Sequence, residues 1–534
     1  MNKIFIQLMK QRGITDEFLH PVYENLADPF LLPDMEKAID RIVQAIENGD
    51  HILIYGDYDV DGVTASTVME EALRLAGAQE IDIMLPDRFA DGYGMSPKII
   101  QRAKDLGVKL VVTVDCGSSN QAIIDELKTL GIDTVVTDHH EITNELPDAV
   151  AVVNPKRQDY QGFRDLAGVG VAFKVAQGLV SRGLIPSGQE KWLLDLVLIG
   201  TICDNMPLLN ENRILSFYGM KVLAKTRRLG LKELMLRAGV KTLNSDAIGF
   251  QIGPRLNAAG RLESAELSLN LLMAKKKSEA AAIAEKLETL NKKRKTEQQL
   301  ALDEIRARGV SEGPIIIEVG KWNEGILGIV AGKLTEEYHK PSFVLSEVGE
   351  GIYKGSGRSF GEFNLALALA ACRDYIINGG GHALAAGVKV AGDKLYEFRE
   401  KMAGYYESLG LKDQERFLTL REDLSIDALD DINLELADDL ALLEPFGGDN
   451  EEPVFQLHDF SVVEARLMGA EKQHLSLIVE DGKGQRIKLL SFFAPEEWCK
   501  VSVGARLNVW VKLAKNEWNG IESVEGKIIG LNYI

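Results

Sequence analysis

Residues 52–62 read ILIYGDYDVDG, in which a short apolar run ends abruptly in three aspartates. The β-branched and aromatic residues of the run predict a buried strand, and the glycine after it predicts a turn. Asp57, Asp59 and Asp61 therefore lie just beyond the carboxyl end of the predicted strand. In an α/β protein this is the position at which ligand-binding side chains gather.

The same arrangement recurs through the first third of the chain, where apolar runs alternate with helical stretches. The runs lie at 110–114 (LVVTV), 134–137 (TVVT) and 150–153 (VAVV), and the helical stretches include 62–77 and 119–130. Strands that alternate with helices predict a parallel sheet covered by helices on both faces. The fold class expected for this region is therefore α/β.

Acids and imidazoles also follow the later apolar runs. They are Asp115 in TVDCG, Asp138, His139 and His140 in TDHH, and Asp204 in GTICDNMPL. Carboxylates that converge at one sheet edge repel each other unless a divalent cation neutralises them. Oxygen ligands joined by imidazole favour Mn²⁺ or Mg²⁺ over a metal that prefers thiolate. A helix N-cap, or a supporting role behind the ligands, remains open for Asp61 and Asp138.

The length and composition of the chain indicate a multidomain cytosolic protein. A chain of 534 residues, 46% of them hydrophobic, suits about three domains. It contains no apolar run near the roughly 18 residues that span a bilayer, and its four scattered cysteines suggest neither a zinc site nor a disulfide framework. The formal net charge of -19 argues against a nucleic-acid partner, unless basic residues gather in one groove and metal ions neutralise some carboxylates.

A segment at 262–308 is expected to form helices that join two lobes, because it is rich in Ala, Leu, Lys and Glu and lacks proline. Its basic groups at 275–277 and 292–295 indicate a solvated helix face more readily than a DNA contact. A second α/β region follows, with strands near 314–319 and 342–346 and helices near 325–338 and 363–376. Gly168 and Gly170 in LAGVGVAFK lack the rest of a dinucleotide fingerprint, so they predict a packing motif at a helix start.

Short segments of alternating polar and apolar residues end the chain. They lie at 454–464, 474–480, 486–493, 507–514 and 521–531. Five such strands predict a small β-barrel, either of the OB type that binds single strands or of the SH3-like type. Candidates for base stacking, which could equally belong to the barrel core, are Trp498, Trp510, Trp518, Phe492 and Phe493.

The motifs GDYDVDG, VDCG and DHH, followed by Asp204, resemble the metal-binding motifs of the DHH phosphoesterases in order and spacing. The rest of the chain is similar to the RecJ exonuclease family within that group. The similar segments are GPRLNAAGR (253–261), KGSGRS (354–359), GGGHALAAG (379–387) and EPFGGDNEEPVF (444–455). The resemblance covers almost the whole chain.

The resemblance implies four regions with distinct roles. They are a parallel-sheet DHH metal-binding catalytic domain at 1–240, a motif loop and helical connector at 241–310, a second α/β DHH-associated substrate-binding domain at 311–430, and an OB-type β-barrel that binds single strands at 431–534.

It also implies a hydrolase that degrades single-stranded DNA from 5′ to 3′ and releases 5′-mononucleotides in DNA repair and recombination, with two Mn²⁺ or Mg²⁺ ions. The implied metal ligands are Asp57, Asp59, Asp115, His139 and Asp204, with Asp115 between the ions. His140, Asp59 and Asp115 are the implied catalytic residues. The implied substrate-binding residues are His140, Arg255, Asn257, Arg261, Arg358, Ser359 and His382. Implied protein partners are single-strand-binding protein and a RecQ-type helicase, and no membrane is implied.

Two alternatives share the metal motifs. A DHH phosphatase or oligonucleotidase that acts on small nucleotide substrates usually lacks the barrel. A non-catalytic DHH scaffold has usually lost metal ligands, whereas every motif residue is present here. The predicted barrel and the complete set of motif residues therefore both favour the nuclease.

Overall fold

The structure is a computed structural model that describes residues 1–92, 94–142, 145–411 and 420–534, without the side chain of Trp518. Its contacts divide the chain into two units. The barrel unit consists of Met1–Ala27, Asn205–Tyr218 and Leu420–Ile534, and the sheet unit consists of Asp28–Asp204 and Gly219–Thr419. The barrel unit therefore combines segments that are distant in sequence.

Helices and strands alternate through most of the chain. The described α-helices are α1 (Lys3–Arg12), α2 (Asp16–Leu19), α3 (Met35–Asn48), α4 (Val60–Leu75), α5 (Lys98–Leu106), α6 (Gln121–Thr129), α7 (Gly168–Ser181), α8 (Leu194–Cys203), α9 (Asn210–Leu223), α10 (Leu229–Ala238), α11 (Gly253–Leu262), α12 (Glu266–Met273), α13 (Lys277–Arg308), α14 (Leu327–Tyr338), α15 (Leu365–Ala371), α16 (Leu395–Ser408) and α17 (Leu434–Ala441). The described strands are β1 (Ile52–Tyr55), β2 (Ile81–Met84), β3 (Leu110–Val114), β4 (Asp133–Thr137), β5 (Ala151–Val153), β6 (Ile316–Gly320), β7 (Ser342–Gly349), β8 (Ile352–Arg358), β9 (Asn378–Gly381), β10 (Ala385–Ala391), β11 (Leu424–Ile426), β12 (Phe455–Met468), β13 (His474–Glu480), β14 (Arg486–Ser491), β15 (Arg506–Trp518) and β16 (Ile521–Tyr533).

The first sheet of the sheet unit is parallel throughout, with strand order β2-β1-β3-β4-β5. The strands predicted at 52–55 and 110–114 are present at those residues. The sequence analysis did not identify β2, whose residues are all only partly buried and form no clear apolar run. In this order the winding of the chain reverses between β1 and β3, and ligand sites of open α/β sheets lie at such a point.

Helices cover both faces of this sheet, as predicted. On one face, Leu53 and Tyr55 of β1 pack in one apolar cluster with Ile99 of α5 and Leu127 of α6. On the other face, α4 contacts β1 and β3, and α7 contacts β3 and β4. Burial on both faces explains why β1 and β3 are almost entirely apolar.

The second sheet of the sheet unit is mixed, with strand order β6-β7-β8-β10-β9. Only β6 and β7 pair in parallel, and they agree with the strands predicted near 314–319 and 342–346. The sequence analysis did not predict β8, β9 and β10, because glycines interrupt the apolar alternation by which strands are recognised. The motifs KGSGRS and GGGHALAAG therefore lie on neighbouring strands.

The sheet of the barrel unit closes on itself. Its strand order is β11-β12-β13-β14-β16-β15, and β12 pairs with β15 as well. The five strands β12 to β16 therefore form a closed barrel in which β14 and β16 are parallel. The five-stranded barrel predicted from the sequence is therefore present at the end of the chain.

The N-terminal helix belongs to the core of the barrel unit. Ile4, Phe5 and Leu8 of α1 are buried in the same apolar cluster as the inward-facing barrel residues. Arg213 donates hydrogen bonds to the carbonyl oxygens of residues 442–444, just after α17. Because the barrel shares its core with α1, removal of the barrel alone would expose the apolar face of that helix.

The predicted connecting helices are present as α12 and α13. Lys292, Lys293 and Lys295 of α13 are exposed, as expected for a solvated face, whereas Arg294 is buried. Among the described helices, none is long and apolar enough to cross a membrane.

Candidate metal centre and substrate cleft

The aspartates of GDYDVDG lie between β1 and the first turn of α4. Asp59 is the N-cap of α4, because its carboxylate accepts a hydrogen bond from the backbone N–H of Gly62 at 3.1 Å. Asp61 caps a second helix: its oxygens accept hydrogen bonds from the backbone N–H groups of Gly168 at 2.6 Å and Val169 at 2.9 Å. Asp61 therefore anchors the start of α7 beside the aspartates, although it is not the N-cap of its own helix.

Asp115 occupies the corresponding position after β3, with a left-handed backbone φ of 60°. Residues other than glycine adopt this conformation rarely, and such strain is concentrated at functional sites. Gly168 leaves room for the Asp115 side chain, because a Cβ on Gly168 would lie 2.6 Å from the Cβ of Asp115. Gly168 is thus a packing glycine at a helix start, as the sequence predicted, and it lies against the candidate site.

Asp138 orients the two histidines that follow it. Its Oδ1 accepts a hydrogen bond from the backbone N–H of His139 at 2.7 Å and another from Nδ1 of His140 at 2.8 Å. Its Oδ2 accepts a hydrogen bond from the backbone N–H of Ser118 at 3.0 Å. Burial would raise the pKa of Asp138, but the hydrogen bond and charge of His140 outweigh burial and lower that pKa below its usual range. Both oxygens of Asp138 are engaged with protein groups, which fits the supporting role.

His139 is the side chain on which the acids converge. Its Nε2 lies 3.1 Å from Oδ1 of Asp115 and 3.6 Å from Oδ2 of Asp61. Asp204, directly after α8, brings its Oδ2 to 3.5 Å from the same nitrogen. The structure therefore joins the four strand-end and helix-end motifs at one place.

Several sets of described side chains have ligand atoms close enough together to hold a metal ion. They are Asp57, Asp59 and Asp115; Asp115, His139 and His140; and Asp61, His139 and Asp204, with the ligand atoms of each set within 4.8 Å of one another. Asp115 belongs to a carboxylate set and to an imidazole set. A side chain shared in this way could lie between two ions.

Burial and mutual repulsion disfavour the charged forms of these carboxylates. Burial, followed by the charge of Asp59, raises the pKa of Asp57 to about 8. Burial and the charges of neighbouring aspartates raise the pKa of Asp204 to about 9. Burial and the charge of His140 lower the pKa of His139 to about 3, so that its imidazole is neutral and can act as a ligand. A cation among these groups would remove the repulsion.

Two buried carboxylate oxygens, Oδ1 of Asp57 and Oδ1 of Asp115, have no hydrogen-bond partner among the described residues. The two residues are 4% and 2% exposed, so water does not replace the missing donors easily. An unsatisfied buried polar atom is unfavourable by about 1–3 kcal/mol, whereas a hard divalent cation would use these lone pairs. The donor set of carboxylates and imidazole therefore fits Mn²⁺ or Mg²⁺.

A cluster of arginines lies close to the carboxylates. Burial, together with the charges of Arg88, Arg294 and Arg358, lowers the pKa of Arg261 to about 9. The guanidinium group of Arg88 also lies over the ring of Tyr58, 5.0 Å from its centre, within the GDYDVDG motif. Guanidinium groups that repel one another in a buried place suit an anion with several oxygens, such as phosphate.

A larger and a smaller cavity adjoin these groups. The larger cavity, of about 550 Å³, is lined by residues that include Tyr58, Arg88, Lys354, Ser356, Asn378 and Lys389. The smaller cavity, of about 140 Å³, is lined by residues that include Cys203, Gly249, Pro254, Asn257, Arg261 and Arg294. The larger cavity thus lies between loops of the parallel sheet and strands of the mixed sheet, and the smaller one follows α11.

Three further predicted substrate residues occupy different positions. The ring of His382 stacks on that of His140, with ring centres 6.4 Å apart and planes 28° apart, so the GGGH motif reaches the metal centre. Arg255 is buried and contacts Oε2 of Glu288 at 2.6 Å. Ser359 donates its hydroxyl hydrogen to a carbonyl oxygen of its own loop at 2.8 Å. His382 therefore faces the site, whereas the other two are hydrogen-bonded within the protein.

The sequence analysis missed Arg88 and Arg294. Arg88 follows β2, the strand that was not recognised, so its place after a strand end was not visible. Arg294 was grouped with its exposed lysine neighbours, but it shares the buried face of α13 with Leu287, Asn291 and Ala301. Helical spacing of four and seven residues from Leu287 is the signal that could have found it.

Three segments of the chain match known family profiles. Residues 51–201 match the DHH family, N-terminal domain; residues 312–408 match the DHHA1 domain; and residues 423–529 match the RecJ OB domain. These matches follow the parallel sheet, the mixed sheet and the barrel, and they confirm the expected fold class.

The chain is also similar to individual proteins along almost its full length. It is 37% identical over 510 residues to the single-stranded-DNA-specific exonuclease RecJ of Bacillus subtilis, a match that covers 94% of this chain and 64% of that protein. It is 33% identical over 523 residues to the RecJ of Escherichia coli, with 92% and 89% covered. A crystal structure of RecJ in complex with Mn²⁺ from Thermus thermophilus superposes with a TM-score of 0.85 and 27% identity, covering 100% of this chain and 76% of that one. The chain belongs to the RecJ family of single-stranded-DNA-specific exonucleases.

Proposed function

We propose that the protein is a Mn²⁺- or Mg²⁺-dependent exonuclease that degrades single-stranded DNA from 5′ to 3′ and releases 5′-mononucleotides in DNA repair and recombination. The observation that carries the proposal is the buried cluster of aspartates and His139, with two carboxylate oxygens unbonded, in a chain of the RecJ family. When bound, a pair of divalent ions neutralises a phosphodiester and supplies a nucleophilic water at neutral pH.

The proposed metal ligands are Asp57, Asp59, Asp115, His139 and Asp204. Asp115 would be the ligand shared by the two ions, because it belongs both to the carboxylate set and to the imidazole set. Asp61 also lies near His139, but its oxygens accept backbone hydrogen bonds at the start of α7. We therefore assign Asp61 to the support of the site.

His140 is proposed to contact the scissile phosphate. Burial alone would lower its pKa, but the hydrogen bond and charge of Asp138 outweigh burial and raise the pKa of His140 to about 9. Without bound metal ions the ring is therefore protonated at neutral pH, and in that form it would offer a charged N–H to a phosphate oxygen. The stacked ring of His382 supports a shared contact of both lobes with the same part of the strand.

The arginine cluster is proposed to bind phosphates of the strand, with Arg261 at its centre and Asn257 beside it in the smaller cavity. This local concentration explains how a chain of net charge -19 can bind a polyanion. Arg255 and Ser359 stay predicted substrate-binding residues. Ser359 would have to exchange its present hydrogen bond for one to a phosphate oxygen, because its hydroxyl group has a single hydrogen to donate.

The barrel is proposed to bind bases of the single-stranded DNA. Phe492 and Phe493, directly after β14, are 60% and 77% exposed, and the ring of His474 lies in a T-shaped arrangement with both of their rings. Adjacent exposed aromatic rings on an OB barrel suit base stacking, which contributes about 1–3 kcal/mol per base.

The tryptophans give weaker support for stacking. Trp498 packs partly buried against the barrel core. Trp510 donates its Nε1 hydrogen to Glu422 at 3.0 Å. The side chain of Trp518 lies outside the described part of the chain. The two phenylalanines are therefore the proposed stacking residues.

Other parts of the proposal rest on the family alone. Single-strand-binding protein and a RecQ-type helicase are proposed as protein partners. The division into regions 1–240, 241–310, 311–430 and 431–534 is proposed as the functional division of the chain.

Digestion of 5′- and 3′-end-labelled 40-base strands, single and double, tests the activity. We expect mononucleotides from the 5′ end of the single strand with Mn²⁺ or Mg²⁺, and no product with chelator or from Asp59→Ala. Hydrolysis confined to mononucleotides and short oligonucleotides would favour the small-substrate phosphatase. No hydrolysis of any substrate would favour the scaffold.

A binding titration with single-stranded DNA tests the barrel. Phe492→Ala combined with Phe493→Ala should weaken binding of a 40-base strand by about tenfold or more, while turnover of a short oligonucleotide stays the same. Val503→Ala is the matched control, because Val503 is 64% exposed in the same unit. Equal affinities of the double variant and the control would remove the barrel phenylalanines from the proposal.

A further inference from the structure

Phe250 is an exposed aromatic residue to which the proposed function assigns no role. Its side chain is 74% exposed, and it lies in the π-helical turn Ala247–Ile252 that leads into GPRLNAAGR. Single exposed apolar residues are common on protein surfaces, so exposure alone carries no inference. The location does carry an inference, because π-helical turns are rare in proteins and, where they do occur, often lie at functional sites.

The helix face that lines the smaller cavity begins about one turn after Phe250. Within α11, Pro254, Asn257 and Arg261 are spaced three and four residues apart, and all three line the cavity. A π-helical turn takes up more residues than an α-helical one, so one turn before Pro254 falls on Gly249 and Phe250. Gly249 itself lines the cavity, so the backbone of Phe250 lies beside the cavity while its side chain is exposed to solvent.

The chemistry of the cavity indicates what lies next to Phe250. Arg261 and Arg294 line it, and guanidinium groups suit phosphate oxygens. Its volume of about 140 Å³ is small beside the pockets of about 300 Å³ or more that hold drug-sized ligands. Cys203, which directly precedes Asp204, forms part of its wall. A phosphate bound there would lie close to the metal centre, with its base left outside at the rim.

We propose that Phe250 stacks on a base of the single strand and thereby positions the nucleotide whose phosphate occupies the smaller cavity. This inference rests on the proposed function and adds a specificity-determining residue to it. An exposed phenyl ring can stack on any base, so the contact tolerates all sequences. A base inside a duplex is already stacked on both faces, so the contact selects single strands.

Steady fluorescence of 2-aminopurine tests the stacking position by position. The probe is moved along a 12-base strand whose phosphorothioate linkages slow cleavage, in the presence of Mn²⁺. We expect Phe250→Ala to relieve quenching at one position and to raise the Kd about tenfold, since stacking contributes about 1–3 kcal/mol per base. Phe250→Trp should retain both the quenching at that position and the Kd of the wild type. Leu236→Ala, which truncates another side chain that is 74% exposed, should change neither.

Equal quenching and equal Kd values in the wild type and Phe250→Ala would overturn the inference. A change at every probe position would also overturn it, because a single stacking contact alters one position. A dimer that becomes a monomer in Phe250→Ala, measured by light scattering, would assign the side chain to a contact between copies instead. Failure of the proposed function is a separate result: the wild type would not hydrolyse an unmodified strand with Mn²⁺.

Discussion

The two sheets of the sheet unit contribute to the same cleft by opposite means. The parallel sheet carries functional side chains just beyond buried apolar strands, as with Asp57 after β1 and Asp115 after β3. The mixed sheet carries them within a glycine-rich strand, where Gly355 and Gly357 alternate with polar residues that end in Arg358. The polarity pattern of the sequence reveals functional residues that follow apolar strands, whereas on glycine-rich strands it reveals neither the strand nor the role, and only the family resemblance pointed to these residues.

The glycines of β8 have a steric reason. A Cβ on Gly355 would lie 2.5 Å from the carbonyl oxygen of Val344, and a Cβ on Gly357 would lie 2.5 Å from the ring of Phe343. Both neighbours belong to β7, which pairs with β8. Glycine therefore allows β7 and its side chains to lie tightly against β8.

The largest effect is expected from the parallel sheet, at Asp115. Asp115→Ala should lower hydrolysis of a labelled single strand by at least about a thousandfold, because it removes the carboxylate shared between the proposed ions. The melting temperature measured with chelator should stay the same or rise, because one source of repulsion among the aspartates is gone. Near-normal rates in saturating Mn²⁺ would contradict the assignment.

A smaller effect is expected behind the ligands, at Asp138. Asp138→Asn keeps the size of the side chain but loses the charge that holds His140, so the rate should fall by about 10- to 100-fold. Calorimetric titration with Mn²⁺ should show a smaller change than in Asp115→Ala. An unchanged rate would show that His140 does not depend on Asp138.

Substitutions in the mixed sheet should weaken binding of single-stranded DNA rather than binding of the metal ions. Arg358→Ala and His382→Ala should each raise KM for a long single strand by about tenfold, with Mn²⁺ affinity little changed. Arg373→Ala, at an exposed position of the same region, is the control. If His382→Ala instead removed one Mn²⁺ in calorimetry, the division of labour between the two sheets would be wrong.

The smallest effect concerns stability and tests the steric reason directly. Gly355→Ala should lower the free energy of unfolding by about 1–3 kcal/mol, because its Cβ would meet backbone atoms of β7. Gly380→Ala of β9 should change it by less than about 0.5 kcal/mol, because its Cβ would meet no atom within 4 Å. Urea unfolding of both variants is the measurement, and equal losses would refute the explanation.

Several elements could be predicted because their signals are local. β1 is an uninterrupted apolar run, β3 is apolar except for Thr113, and the barrel strands alternate in polarity, so their positions follow from the sequence. The partly buried β2 and the glycine-rich β8 lack such signals. Missing β2 also concealed Arg88, whose role depends on the turn after that strand.

The sequence by itself determined four strands of the parallel sheet, the barrel strands and the identity of the acids and imidazoles that meet at the metal centre. Short apolar runs specify strands locally, and parallel strands bring the residues after them to one edge. Only the tertiary structure decided that Asp61 caps α7, that Arg294 turns inward among its exposed lysine neighbours, and that α1 completes the barrel core. These outcomes depend on which distant surfaces are buried against each other, and burial between distant segments leaves no local pattern in the chain.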